Sequence, residues 1–253
     1  MGRTPWSAAG PLAGLLELST HLRRAGPGGP ARTRGSAPPV AAPVIPAIYP
    51  ILDTETMAAR NLPLVEAVKA WIEGGAGIMQ LRHKGHWGRT LFEEARGIAD
   101  LCRGRGVIFI VDDRADLAAL LHCGLHLGQD DLSPADARTI IGPDAVLGFS
   151  SHNADQLCAA AAEPVSYVAF GPCFPTRSKR NPDPVLGLAE LRRCRGLTAK
   201  PLVAIGGITR ENAGAIFAAG ADAVAVIADM LPEDCSNRSL RERMEEWQQL
   251  GKR

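Results

Sequence analysis

No apolar run in this 253-residue chain approaches the ~20 residues that a bilayer-crossing helix needs. Net charge is only +1, so bulk electrostatics indicate neither nucleic acid nor a lipid surface as a partner. The six cysteines (Cys102, Cys123, Cys158, Cys173, Cys194, Cys235) form no Cys-x-x-Cys pair, and no histidine lies at zinc-finger spacing from them. They read as buried small hydrophobes in a reducing compartment, which predicts a cytoplasmic protein. Acids are nearly missing from residues 1–44, where Glu17 stands alone against Arg3, Arg23, Arg24, Arg32 and Arg34 among many Pro, Gly and Ala. This stretch, ending in the linker-like Pro38 to Pro43, reads as a disordered extension without catalytic consequence. An organelle transit peptide, or upstream coding sequence read from too early a start codon, is the alternative.

What is present is ample: 46% hydrophobic and 22% charged residues can bury a sizeable core. From Ile45 onward, short aliphatic runs alternate with amphipathic segments. Strands are expected at 46–52, 76–81, 107–111, 124–127, 145–149, 166–170, 201–205 and 222–227. Helices are expected at 62–73, 88–105, 114–122, 133–141, 153–162, 187–195, 210–219 and 238–250. Eight of each predicts a single (β/α)8 barrel over residues 45–253, with a doubly wound open sheet as the alternative.

In such a barrel the reacting groups gather where strands end. Gln80, Arg82 and Lys84 follow the run Gly77-Ile78-Met79 and share one face by strand alternation. An amide and two cations at a strand end suit an oligoanion such as a diphosphate, although a solvated basic edge would look the same. Asp113 and Asp131 end neighbouring strands and form a plausible Mg2+ pair, since magnesium takes one or two carboxylates plus water and phosphate oxygens. Each could instead serve as a helix cap. Gly206-Gly207 after the seventh strand lets backbone N–H groups approach a phosphate. Thr176, Ser178 and Lys179 add hydroxyls and a cation on a loop long enough to close over a ligand. His152 begins a helix and could cap or pack there, while His83, His86 and His126 suggest no ligand set.

The motifs Gln80-x-Arg82-x-Lys84, Asp113-Arg114-x-Asp116-Leu117-Ala118, His126-Leu127-Gly128-Gln129-x-Asp131, Gly148-x-Ser150-x-His152, Gly171-Pro172-x-x-Pro175-Thr176-x-Ser178-Lys179 and Ala204-Ile205-Gly206-Gly207-Ile208 occur in this order. Together they closely resemble the thiamine-phosphate synthase family from about Tyr49 to Met230. The resemblance implies joining of a hydroxymethylpyrimidine diphosphate to a thiazole phosphate, or its carboxylated form, with release of diphosphate. It implies that Gln80, Leu81, Arg82, His83, Lys84, Asp112, Ser150 and Lys179 hold the pyrimidine diphosphate, with Arg82, Lys84, Ser150 and Lys179 acting in catalysis. It further implies that Asp113 and Asp131 bind Mg2+, and that Thr176, Arg177, Ser178, Gly207, Ile227 and Ala228 hold the thiazole phosphate. Small-molecule substrates are the expected partners, and a homo-oligomer is left open.

Three positions depart from the family pattern: Asp112 stands for Asn, Ala228 for Ser, and Ser178 for a common Thr. A carboxylate at 112 should repel a diphosphate unless it meets metal or is protonated. Two other readings share the barrel. Thiazole tautomerases are disfavoured by Gln80 and Asp131, and a non-catalytic phosphate-ligand sensor is supported only by Asp112 and Ala228.

Overall fold

In the computed structural model, residues 44–176 and 183–252 are described here. Eight parallel strands close into a barrel in chain order, with β1 pairing both β2 and β8. The strands are β1 (Ile48–Asp53), β2 (Ile78–Arg82), β3 (Ile108–Asp112), β4 (Gly124–Leu127), β5 (Leu147–Ser151), β6 (Tyr167–Phe170), β7 (Leu202–Ile205) and β8 (Ala223–Val226). The helices are α1 (Thr54–Ala59), α2 (Leu64–Glu73), α3 (Arg89–Gly104), α4 (Ala115–Leu121), α5 (Pro134–Ile141), α6 (Ala154–Ala162), α7 (Gly187–Cys194), α8 (Arg210–Ala218) and α9 (Asn237–Gly251). The barrel expectation holds, and the sequence reading lacks only α1. Six residues are too few for a periodic stripe; α1 is started by its cap, with Asp53 Oδ1 accepting from the Thr56 amide at 2.9 Å and from Thr56 Oγ1 at 2.6 Å.

Side-chain alternation divides the strands into two apolar layers. Tyr49, Ile51, Ile78, Ile110, Tyr167, Ala169, Val203, Ala223 and Ala225 fill the barrel interior. Their sequence neighbours, such as Leu52, Met79, Val111, Val168 and Leu202, pack outward under the helices. Because both faces are covered, the strands read as unbroken aliphatic runs.

The helices lock on by spacing and capping. On α2, Leu64, Ala67, Val68 and Trp71 recur at helical intervals and are buried. They meet α9, whose Leu240, Met244 and Trp247 form a matching buried stripe. Ser133 starts α5 by accepting from the Asp136 amide, with Pro134 in the first turn. Asn153 starts α6 by accepting from the Gln156 amide. Six free thiols are present, and Cys102, Cys173 and Cys194 are buried as expected, but Cys158 is exposed on α6. The helix period puts Cys158 next to buried Leu157 and outside the apolar stripe. The extension expected over residues 1–44 lies, but for Val44, outside the described residues.

Candidate active site

The C-terminal ends of the strands surround a cavity of about 810 Å3. Gln80, Arg82, Lys84, Asp112, Asp113, Asp131, Ser150, Thr176, Gly207, Ile227 and Ala228 all line it, as the sequence reading requires. Arg177, Ser178 and Lys179 lie outside the described residues. Alternation turns Leu81 away into the layer beneath the helices. His83 bonds Thr54 Oγ1 through Nδ1 at 2.8 Å and faces the His86 carbonyl through Nε2 at 3.2 Å. Leu81 can therefore reach a ligand in the cavity only through its backbone.

Arg82, the last residue of β2, is fixed by Asp53 Oδ2 at 2.5 Å and faces Asp112 Oδ2 at 3.7 Å. Lys84 lies beyond the strand, yet its Nζ reaches Asp113 Oδ2 at 2.5 Å and Asp112 Oδ2 at 3.0 Å. Although burial acts against it, the charges of Asp112 and Asp113 hold the Lys84 ammonium above its usual range. Neither acid caps α4. Its N-cap is Arg114, without a side-chain bond, and Asp113 takes the left-handed backbone (φ 63°) that follows the strand end. Asp131 does not cap α5 either, since Ser133 does. Its Oδ2 accepts from the Gly128 amide at 2.7 Å, which bends the loop so that the carboxyl turns back to the cavity.

Among the described residues, two cations thus face four carboxyl groups, those of Asp53, Asp112, Asp113 and Asp131. Two of these acids are raised. Burial, reinforced by Asp113, pushes the Asp112 carboxyl up to about 7 against the pull of Lys84 and Arg82. Burial and a hydrogen bond to Asp113 also raise Asp131. Two neighbouring carboxyls at the wall of such a cavity are reconciled by a proton or by a cation between them. The donor set fits magnesium: two hard oxygen ligands, with further positions for water and phosphate. Among the described residues no group of three or more His, Cys, Asp or Glu side chains is placed to hold an ion alone.

On the opposite rim, Gly207 has φ 63°. A Cβ there would lie 2.4 Å from the Pro175 carbonyl oxygen, so only glycine lets the loop after β7 lie against the loop after β6. Its neighbours in the wall are Thr176 and the turn at Ile227 and Ala228. Asp229, one residue on, is paired with Arg210 at 3.0 Å. His152 also faces the cavity, with Nδ1 2.7 Å from the Gly171 carbonyl.

The floor contains residues that the sequence reading passed over. Tyr49, His126 and Tyr167 are buried below the cavity and bonded to one another and to the predicted residues. Burial lowers the His126 imidazole to about 4 and raises both phenols. A signal existed: these are the only two tyrosines in the chain, and each interrupts an aliphatic strand on its inward face. Asp53 was also legible, as an acid ending the first aliphatic run before Thr54 and Thr56.

A closed parallel barrel whose strand ends collect cations, paired acids and a glycine-lined loop around one hollow is a phosphate-handling (β/α)8 enzyme. The sequence matches the family described as "Thiamine monophosphate synthase" over residues 48–230, and the chain belongs to that family. It is 46% identical over 191 residues to the thiamine-phosphate synthase of Koribacter versatilis (strain Ellin345), covering 74% of this chain and 90% of that protein. It is 41% identical over 182 residues to the thiamine-phosphate synthase of Laribacter hongkongensis (strain HLHK9), covering 72% and 85%. The solved thiamine phosphate pyrophosphorylase from Pyrococcus furiosus superposes with a TM-score of 0.69 at 32% identity, covering 81% of this chain and 94% of that one.

Proposed function

We propose that this protein makes thiamine phosphate, joining a hydroxymethylpyrimidine diphosphate to a thiazole phosphate, with residues 45–253 as the working domain. The observation that carries this reading is the shared cavity: a basic and acidic half at Gln80 to Lys84, Asp113 and Asp131, and a glycine-lined half at Thr176, Gly207 and Ala228. Each half suits one phosphorylated substrate, and a common hollow brings their reacting atoms together.

The bond from the pyrimidine's exocyclic carbon to the diphosphate oxygen breaks, and its electron pair leaves with the diphosphate. The electron-rich aminopyrimidine stabilises the cation left behind. The thiazole nitrogen then donates its lone pair to that carbon, forming the new C–N bond. This scheme needs no protein nucleophile. It needs charge on the leaving group offset and two rings aligned. Arg82 and Lys84 supply donors to the diphosphate. Asp53 keeps the Arg82 guanidinium in place from behind, and Asp112 draws both cations to the wall. Asp113 and Asp131 would hold Mg2+, which when bound supplies positive charge to the departing diphosphate. The carboxyl at 112 is buried, paired with both cations and raised toward neutrality, which tempers the repulsion expected of it. A cytoplasmic location is supported by the free thiols. Among the described residues no helix is long and apolar enough to cross a membrane.

The test supplies the full chain with both substrates and MgCl2 and follows diphosphate release. Release should require both substrates and the metal, and Arg82→Ala and Asp113→Ala should each slow it by about a hundredfold or more. Isomerisation of the thiazole without joining would assign the protein to tautomerase chemistry. Binding of both ligands without turnover would make it a sensor.

A further inference from the structure

Beneath the cavity, six side chains from six different strands are bonded end to end. Ser150 Oγ on β5 meets His126 Nε2 on β4 at 2.9 Å. His126 Nδ1 meets the Tyr167 hydroxyl on β6 at 3.0 Å, and that hydroxyl meets Tyr49 on β1 at 2.9 Å. Tyr49 donates to Gln80 Oε1 on β2 at 3.0 Å, and Gln80 Nε2 donates to Asp112 Oδ1 on β3 at 3.0 Å. The geometry is tight where the chain crosses the barrel. A Cβ on Gly148 would sit 2.3 Å from the Tyr167 hydroxyl oxygen, so the phenol reaches the line only because β5 carries no side chain there.

The direction of every bond follows from one end. Lys84 and Arg82 approach Asp112 Oδ2, so the carboxylate only accepts, and its Oδ1 takes an N–H from Gln80. That fixes the amide: its oxygen faces Tyr49. A phenol has one proton, and Tyr49 gives its own to Gln80, so its oxygen accepts from Tyr167. Tyr167 has then committed its proton and must accept from His126 Nδ1–H. A neutral imidazole carries one N–H, which leaves Nε2 to accept from Ser150. Nowhere along the line can a single bond be reversed without setting donor against donor or lone pair against lone pair. An asparagine at 112 would tolerate either polarity, because it both donates and accepts; the ionised aspartate permits one.

We propose that this one-way chain commits the Ser150 proton to His126, so that Ser150 presents only lone pairs to the cavity and receives an N–H from the amino group of the pyrimidine, leaving the diphosphate to the cations. Building on the synthase reading above, it gives Ser150 the task of recognising an amino-substituted ring, and makes His126, Tyr167 and Tyr49 positioning residues. Donors for the diphosphate are plentiful at Arg82 and Lys84, whereas a ring amine needs an acceptor.

The direction is measured without substrate. Long-range proton–nitrogen NMR of the full chain with 15N-labelled histidine, at pH 8, distinguishes the two imidazole tautomers. His126 should be the Nδ1–H form. Tyr49→Phe removes the acceptor for the Tyr167 proton, which then turns to His126 Nδ1 and converts the ring to the Nε2–H form. In turnover, the same variant should raise KM for the pyrimidine diphosphate by about tenfold and leave KM for the thiazole phosphate in place. Tyr167→Phe, which cuts the chain one link earlier, should likewise raise only the first KM. A wild-type His126 in the Nε2–H form overturns the proposal whatever the variants do. So does an unchanged tautomer in a folded Tyr49→Phe, or an equal rise in both KM values. A wild type that makes no thiamine phosphate while His126 is Nδ1–H would sink the synthase reading and the amine assignment but leave the chain's direction standing.

Discussion

Asp112 and His126 belong to one hydrogen-bonded line and are shifted in ways that act oppositely on stability. Burial keeps His126 neutral down to about pH 4, while an unfolded histidine takes its proton near 6.5. The unfolded state therefore binds more protons between these values, and stability falls as the pH drops from 6.5 toward 4. Asp112 is raised to about 7, so the folded state binds its proton first, and stability rises as the pH falls from 7. The two contributions partly cancel in the wild type. His126→Gln should remove the first, giving a variant whose stability, relative to wild type, improves by up to about 3 kcal/mol between pH 6.5 and 4; urea titrations across that range measure it. Arg82→Ala should lower kcat/KM by about a hundredfold or more, and it leaves Asp53 and Asp112 without their shared cation. Asp131→Ala should raise the magnesium concentration needed for half-maximal rate by about tenfold or more, read from diphosphate release against MgCl2. At this scale the polar cluster of Gln80, Arg82 and Lys84 was legible because a charged pattern ending an aliphatic run has few other uses. Tyr49 and Tyr167 were legible only as interruptions of aliphatic runs, since a phenol inside a strand is equally a core residue, and only the closure of the barrel brings their oxygens within 2.9 Å.

Elements carry the site by where they end. The third and fourth strands, expected at 107–111 and 124–127 and found at Ile108–Asp112 and Gly124–Leu127, were legible because aliphatic runs end abruptly in acid and glycine. The loops could not, because loop geometry depends on contacts between segments far apart in sequence. Gly207 shows the difference: a Gly-Gly pair marks a turn, but the need for glycine comes from Pro175 and Phe174 packed against it. Gly207→Ala should destabilise the fold by about 1–3 kcal/mol and weaken binding of the thiazole phosphate more than of the pyrimidine diphosphate, separable by denaturant titration and calorimetry. The cap at Asn153 offers a milder test. Asn153→Ala should cost about 1 kcal/mol, with the rate of diphosphate release nearly unchanged once folded.

The barrel is closed by its first and last strands. β1 pairs with β8, and α9 lies on α2, so residues near position 50 depend on residues beyond 220. The eightfold alternation made this closure legible, since only a ring gives every parallel strand two neighbours without edges. Trp247 is fully buried in that seam, and Trp247→Ala should cost about 3–5 kcal/mol, visible as a lower thermal midpoint. The late partnership also bears on biosynthesis. While the chain emerges from the ribosome, the first strand has an unsatisfied rim until nearly the last helix is made. The nascent polypeptide must therefore travel most of its length with a sticky, half-built wall, and demand for chaperones should rise in variants that delay the final turn.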